Sequence, residues 1–242
     1  MARQQKLQAL VLSRRKVGEA DRLISFFTRE NGLVKAVAKG VRKIPSTRGS
    51  HLEPFTETLV VLHTSPAGTY VSGAETQTYF SDLKTNQSAF EHAKHITSLV
   101  ITLFGEDDAH PRVHDMLRYS WNILPQLSQA KQNQLESAAT IMMLSEAGVL
   151  PSWQTCEACG EATPRDAVVL DPVGGWRCIT CHTAFSGTRW SLPPRLFKVL
   201  RYVSVNPEHA LRLALTPDES TQLVMSLRYF TGGLLQQTLV GT

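Results

Sequence analysis

The chain has 242 residues and a mass of 26.8 kDa, and its 42% hydrophobic and 19% charged residues favour a folded core and exclude a disordered tail. It has no run of about 18 apolar residues and no signal-peptide pattern, so we expect neither a membrane span nor secretion. The formal net charge of +4 is uneven: residues 1–50 hold 12 Lys and Arg against 3 Asp and Glu, whereas residues 51–242 hold 13 against 18, a distribution typical of polyanion-binding proteins.

The first 80 residues have the pattern of short strands separated by turn signals such as Gly18, Asn31-Gly32 and Pro66-Ala67-Gly68. The predicted strands are residues 7–13, 22–28, 33–39, 58–63 and 69–77. Five short strands without a long helix predict a small closed barrel or a sandwich. The basic stretch 39–50 is predicted to be a mobile loop between the third and fourth strands.

Side chains of the third predicted strand alternate between two faces. The small apolar Val34, Ala36 and Ala38 point one way, as a barrel interior requires, while Lys35 and Lys39 lie with Leu33 and Val37 on the outer face. At about 3.3 Å per residue, the two lysines lie about 13 Å apart.

Further basic residues flank this strand and extend the charge into the loop and the end of the first strand. The candidate DNA-binding residues are Lys35, Lys39, Arg42, Lys43, Arg14, Arg15 and Arg48. Such a cluster predicts salt-sensitive, sequence-tolerant binding to nucleic-acid phosphates. The alternative is a solvated face that serves only solubility. Four aromatic residues are either stacking platforms for unpaired bases or core residues: Phe26, Phe27, Phe55 and Tyr70.

From residue 87 the hydrophobic spacing becomes helical. Helices are predicted around residues 90–103, 113–124 and 135–148, the last ending at Gly148 before Pro151, and then around 196–203 and 216–234. Thr216 and Glu219 are spaced as a capping box. The apolar stripes of these helices indicate core packing.

Two cysteine pairs lie between the helices, with the spacing C-x2-C-x18-C-x2-C. Cys156, Cys159, Cys178 and Cys181 are the candidate ligands of one structural zinc ion, because each pair directs two sulfurs at one point. Four protein ligands leave no open position for an activated water. The alternatives are unpaired structural thiols or a redox pair, and His182 is a competing ligand.

Sequence motifs of common enzymes are absent. The chain has no phosphate-binding loop G-x4-G-K-[ST], no GxGxxG, no HExxH and no GxSxG. His51-x-Glu53 resembles part of the zinc deaminase signature, but Thr155 stands where that signature requires proline. Glu106-Asp107-Asp108 is either a nuclease-type metal ligand set or, as we favour, a solvated loop. The sequence therefore predicts a binding protein and not an enzyme.

Four blocks of the N-terminal region, in order and spacing, resemble the N-terminal domain of the bacterial RecO family. They are Gly18-Glu19-Ala20-Asp21-Arg22, Phe27-Thr28-Arg29-Glu30-Asn31-Gly32, Ala38-Lys39-Gly40-Val41-Arg42-Lys43 and Leu52-Glu53-Pro54-Phe55. Pro151 and the two cysteine knuckles also resemble the zinc-bearing members. Where many members have Phe-x3-Leu-Leu before the zinc segment, this chain has Ile141-Met142-Met143-Leu144.

The resemblance implies an α+β multidomain protein. It has an OB-fold nucleic-acid-binding domain (residues 1–80), then a helical domain in two parts (81–150 and 187–242) with an inserted four-cysteine zinc finger (151–186). Members of the family bind single- and double-stranded DNA, anneal complementary strands and, with RecR, help to load RecA onto DNA coated by single-strand-binding protein. Several also contact the acidic tail of that protein.

We therefore expect a cytoplasmic, nucleoid-associated recombination mediator that uses no nucleotide cofactor. Two alternatives stay open on the residues alone: an RNA- or ribosome-associated protein with the same barrel, and a protein-interaction scaffold.

Overall fold

The computed structural model describes residues 3–41, 47–164, 166–171, 175–182 and 191–240. Contacts between Cα atoms divide the chain into two units, Met1–Pro125 and Gln126–Thr242. Within the described residues, no helix is both long enough and apolar enough to cross a membrane.

Five strands form a closed barrel in the first unit. They are β1 (Arg3–Val17), β2 (Asp21–Thr28), β3 (Gly32–Ala38), β4 (Thr56–Ser65) and β5 (Gly68–Tyr79), and the 3-10 helix Thr47–Leu52 precedes β4. The strand order is β1-β2-β3-β5-β4, and β4 pairs with β1 to close the barrel. All neighbours are antiparallel except β3 and β5, which meet in parallel at Val37 and Tyr70. The predicted five-stranded OB-fold barrel is confirmed.

Apolar side chains, mostly small or branched, fill the barrel around the aromatic ring of Phe26. Ile24, Phe26 and Ala36 are no more than 1% exposed, and Val34 packs against them. The alternation predicted for this strand is confirmed, because Ala36 and Ala38 are buried while Lys35, and Lys39 in the turn directly after β3, are exposed. Leu33 was expected on the open outer face, but it is only 2% exposed. The residues that cover it come from a distant part of the chain and are described below.

Three helices complete the first unit: α1 (Ser81–Thr85), α2 (Gln87–Leu103) and α3 (Pro111–Ile123). The Asn86 side chain caps α2 by accepting a hydrogen bond from the amide of Ala89 at 3.1 Å. Trp121 of α3 packs edge-on against Phe55 and Phe80, with ring centroids 5.0 and 5.5 Å apart. These contacts explain why the division of the chain falls after Pro125. The domain boundaries at residues 80, 150 and 186 stay a prediction.

The second unit combines three helices with a small sheet. The helices are α4 (Gln129–Glu146), α5 (Pro194–Val205) and α6 (Pro217–Val240), and the strands are β6 (Val168–Asp171), β7 (Gly175–Cys178) and β8 (Ser191–Leu192). The sheet order is β7-β6-β8, with antiparallel pairing throughout. Short 3-10 helices occupy Leu124–Gln126, at the division between the units, and Ile179–His182 and Pro207–Arg212.

The predicted helix signals act in the second unit as expected. Thr216 and Glu219 form a reciprocal capping box, since the Thr216 amide donates to Glu219 Oε2 at 2.9 Å and the Glu219 amide donates to Thr216 Oγ1 at 3.2 Å. Gly148 adopts a φ of +70° just after α4, which is the left-handed conformation that commonly ends a helix.

Candidate metal centre and nucleic-acid interface

The four predicted cysteine ligands converge on one point of the second unit. Their Sγ atoms all lie within 4.8 Å of one another, and those of Cys159 and Cys178 are 3.9 Å apart. In a tetrahedral site with metal–sulfur bonds of about 2.3 Å, neighbouring sulfurs lie about 3.8 Å apart. The sulfur positions therefore fit a single metal ion of that size.

Backbone turns and β7 position these thiols. In the first knuckle the Gly160 amide donates to the carbonyl of Cys156 at 2.9 Å, and Gly160 has a φ of +74°, which favours a residue without a Cβ. β7 delivers Cys178, whose amide donates to the Cys156 sulfur at 3.3 Å. Cys181 follows in the 3-10 helix. The side chain of His182, the predicted competing ligand, lies outside the described residues.

The electrostatics of the cluster favour a cation. Burial raises the pKa of the Cys156 thiol, but the amides of Cys178, Cys159 and Ala158 outweigh that effect and lower the pKa to about 6. Burial and hydrogen bonds with the neighbouring thiols raise the pKa of Cys178 to about 12. The Cys156 thiol therefore ionises easily, whereas its neighbours suppress the ionisation of Cys178. A divalent cation would remove the repulsion between the thiolates.

Two tryptophans anchor the cysteine segment to the helices of its unit. Trp176 of β7 is fully buried and contacts Phe197 of α5, with ring centroids 4.7 Å apart. Trp153 contacts Phe230 of α6 at 5.7 Å. The cysteine segment therefore shares its apolar core with α5 and α6, and its folding is coupled to theirs.

The outer face of the barrel presents cross-strand rows of residues. One row contains Arg15, Leu23, Val37 and Tyr70, which are register partners across β1, β2, β3 and β5. Lys39 extends this row, because its Nζ lies 4.4 Å from the centroid of the Tyr70 ring. We call Arg15, Lys39 and Tyr70 the open row.

The other candidate DNA-binding residues are placed differently. Lys35 lies one row away from the open row, beside Ser25, and its Nζ is 2.9 Å from Glu106 Oε1. Arg14 is half-buried and paired with Glu53. Arg42, Lys43 and the side chain of Arg48 lie outside the described residues. The fold thus places Lys35, Lys39 and Arg15 on the outer face of the barrel, whereas the Arg14 side chain forms an ion pair with Glu53.

Three of the four aromatic stacking candidates belong to the core. Phe26 and Phe27 are fully buried and Phe55 is 6% exposed, since it packs between Phe90 and Trp121. Tyr70 is half-buried, and its hydroxyl donates to the carbonyl of Ala67 at 2.9 Å. The stacking interpretation is therefore wrong for the three phenylalanines and stays a prediction for Tyr70.

The partial deaminase pattern has a structural explanation. His51 Nδ1 accepts a hydrogen bond from the Thr76 amide at 3.2 Å and lies 2.9 Å from the Thr76 hydroxyl, and Glu53 pairs with Arg14. In the described part of the chain, the cysteine quartet is the only cluster of three or more His, Cys, Asp or Glu side chains close enough together to hold a metal ion.

Comparison with known proteins assigns the family. The family model for the N-terminal region of recombination protein O matches residues 1–79, and the model for its C-terminal region matches residues 88–239. DNA repair protein RecO of Bifidobacterium longum is 33% identical over 178 residues, which is 73% of each chain. The same protein of Dehalococcoides mccartyi is 27% identical over 225 residues, 92% of this chain and 87% of the relative. The chain belongs to the RecO family.

The two RecO models correspond to structural elements. The N-terminal RecO model ends at residue 79, the last residue of β5, so it contains the whole barrel. The C-terminal RecO model begins at the second residue of α2 and includes all four cysteines. A role in recombinational DNA repair follows from this membership.

Proposed function

We propose that the protein is a non-enzymatic recombination mediator that binds single- and double-stranded DNA through the outer face of its barrel. It anneals complementary strands and, with RecR, helps to load RecA onto DNA coated by single-strand-binding protein. It acts in the cytoplasm, at the nucleoid. The proposal rests on the RecO membership and, in this chain, on the open row of the barrel.

The open row combines the two features that single strands require. Arg15 and Lys39 are exposed and have no carboxylate partner among the described residues, so their charges are available to phosphates. Tyr70 lies at the β5 end of the row and offers an aromatic surface beside Lys39, whose Nζ is 4.4 Å from the centre of its ring. A basic face of this kind lowers the repulsion between two phosphate backbones, which is the electrostatic requirement for annealing.

The cysteine quartet serves as a structural zinc centre in this proposal. The four sulfurs complete the coordination sphere, so the metal folds the segment and does not activate a water. Protein partners bind the surface of this segment or of the helices that it stabilises. The expected partners are RecR and single-strand-binding protein.

Charge reversal on the open row tests the DNA-binding proposal. The double variant Arg15→Glu and Lys39→Glu is expected to bind a single-stranded oligonucleotide about tenfold more weakly or worse at 0.1 M salt. Its slope of log affinity against log salt should be shallower by about 1.4, because two phosphate contacts are lost. Fluorescence anisotropy titrations at several salt concentrations measure both quantities.

A matched control changes the net charge equally in other places. Lys94→Glu with Lys198→Glu alters two exposed helical lysines and should leave the salt slope unchanged. Equal losses in both double variants would refute a localised site. Competition between DNA and RNA strands of equal length separates a DNA mediator from an RNA-binding protein, and tighter RNA binding would favour the latter.

A further inference from the structure

Residues 104–108, which we call the covering segment, lie on the outer face of the barrel at the start of β3. Glu106 forms isolated β-bridges with Gly32 and Leu33. A Cβ on Gly32 would lie 1.8 Å from the carbonyl oxygen of Asp108, and Gly32 itself has a φ of +63°. The backbones are in contact here, so the covering segment is held firmly against β3.

Apolar packing fixes the same segment from its other end. Phe104 is 4% exposed and meets Phe27 of β2 with ring centroids 6.1 Å apart. Leu33 is buried in the same cross-strand row as Phe27. The outer face of the barrel is therefore closed to ligands at this row, which lies two residues along β3 from Lys35.

Lys35 stands between the closed row and the open row. Its ammonium group forms an ion pair with Glu106 Oε1 at 2.9 Å, and the two side chains are 42% and 53% exposed. A phosphate arriving along the open row would meet Lys35 next, but a carboxylate already occupies it. Exposed ion pairs contribute little to stability, so a phosphate can displace this carboxylate.

We propose that Glu106 is an intramolecular competitor of nucleic-acid phosphate for Lys35, and that the covering segment sets the end of the DNA path on this face. The inference rests on the proposed DNA-binding role of the open row. It assigns a function to an acidic loop that lies 71 residues from Lys35 in the chain. The path then consists of the open row, extended by Lys35 only when the ion pair opens.

The variant Glu106→Gln tests this competition. It removes the competing charge, while the backbone bridges and Phe104 keep the segment in place. We expect binding of a single-stranded oligonucleotide to become about two- to fivefold tighter. The salt slope should steepen by about 0.7, the value for one added phosphate contact with a single strand.

Asp107→Asn is the matched control, because it removes an equal charge one residue away. Asp107 has a φ of +58°, a conformation that asparagine tolerates, and it has no ion-pair partner among the described residues. Equal gains from the two variants would indicate a general charge effect and overturn the proposal. An unchanged affinity and slope for Glu106→Gln would overturn it as well.

A variant without the lysine tests the ion pair between Lys35 and Glu106 directly. In Lys35→Gln protein, adding Glu106→Gln should change neither the affinity nor the slope, and a persistent gain would contradict the competition. The Arg15→Glu and Lys39→Glu variant, measured beside these, identifies which proposal has failed. If this double variant binds more weakly while Glu106→Gln and Asp107→Asn change the affinity equally, only the competition at Lys35 is refuted. If it binds like the wild type, the open row is refuted.

Discussion

Replacing Cys156 with alanine is expected to reduce bound zinc from about one ion per chain to near zero and to lower the stability of the second unit by several kcal/mol. Cys156 is 2% exposed, and its sulfur accepts a hydrogen bond from the Cys178 amide. Zinc contributes about 10–16 kcal/mol of apparent binding free energy to small zinc-finger peptides, and in such segments that energy is folding energy.

The loss should extend beyond the cysteine segment. Because Trp176 and Trp153 pack on α5 and α6, a disordered segment exposes Phe197 and Phe230 as well. Metal analysis of the purified protein and thermal unfolding followed by tryptophan fluorescence measure the two effects. A strong chelator added to the wild-type protein should reproduce the destabilisation.

Thr180→Ala provides the control for this experiment. Thr180 lies between two of the ligands in sequence, but the variant retains all four sulfurs. It should bind zinc normally and unfold within about 0.5 kcal/mol of the wild type, as surface substitutions usually do. Zinc binding that survives in Cys156→Ala would contradict the four-thiolate assignment.

Replacing Arg228 with methionine is expected to destabilise the second unit by about 3 kcal/mol. Arg228 of α6 forms a bidentate ion pair with Glu136 of α4, its Nε lying 2.6 Å from Oε1. The Glu136 side chain is fully buried, whereas that of Arg228 is 34% exposed. Methionine leaves a buried carboxylate without its cation, and a charge in that position costs more than the pair contributes.

Two further variants make the cause identifiable. Glu136→Met combined with Arg228→Met removes both charges and should recover most of the lost stability. Arg195→Met is the matched control, since it breaks a pair with Glu219 in which the arginine is 64% exposed, and it should cost much less than Arg228→Met. Urea denaturation gives the free energies of unfolding. A double variant no more stable than Arg228→Met would contradict the buried-charge explanation.

Much of the fold follows from local pattern. The five barrel strands, the five longer helices and the capping box at Thr216 follow from the sequence, because alternation, helical spacing and capping residues act over a few neighbours. The three short strands of the second unit were not predicted. The metal site was also predictable, since two closely spaced cysteine pairs already define most of a tetrahedral site. The length of β1 was not, because its extra residues are held by pairing with β2 and β4.

Phe55 is a residue whose burial the local sequence pattern does not predict. Phe55 precedes a strand and has no local sign of burial, yet Phe90 and Trp121 from two later helices enclose it. Glu136 likewise lies in a helix whose hydrophobic stripe predicts only a core face. Its burial and its partner depend on α6, which begins 81 residues further along the chain.

The sequence by itself determined a basic barrel, a helical region and a cluster of four cysteines able to hold a metal ion, because each depends on residue types at short spacing. The tertiary structure alone decided which positive charges remain available. Lys35 and Arg14 are paired with Glu106 and Glu53, while Lys39 and Arg15 are not paired with a described carboxylate. Charge neutralisation depends on distances between side chains that are far apart in the chain, and only the folded arrangement brings those side chains together.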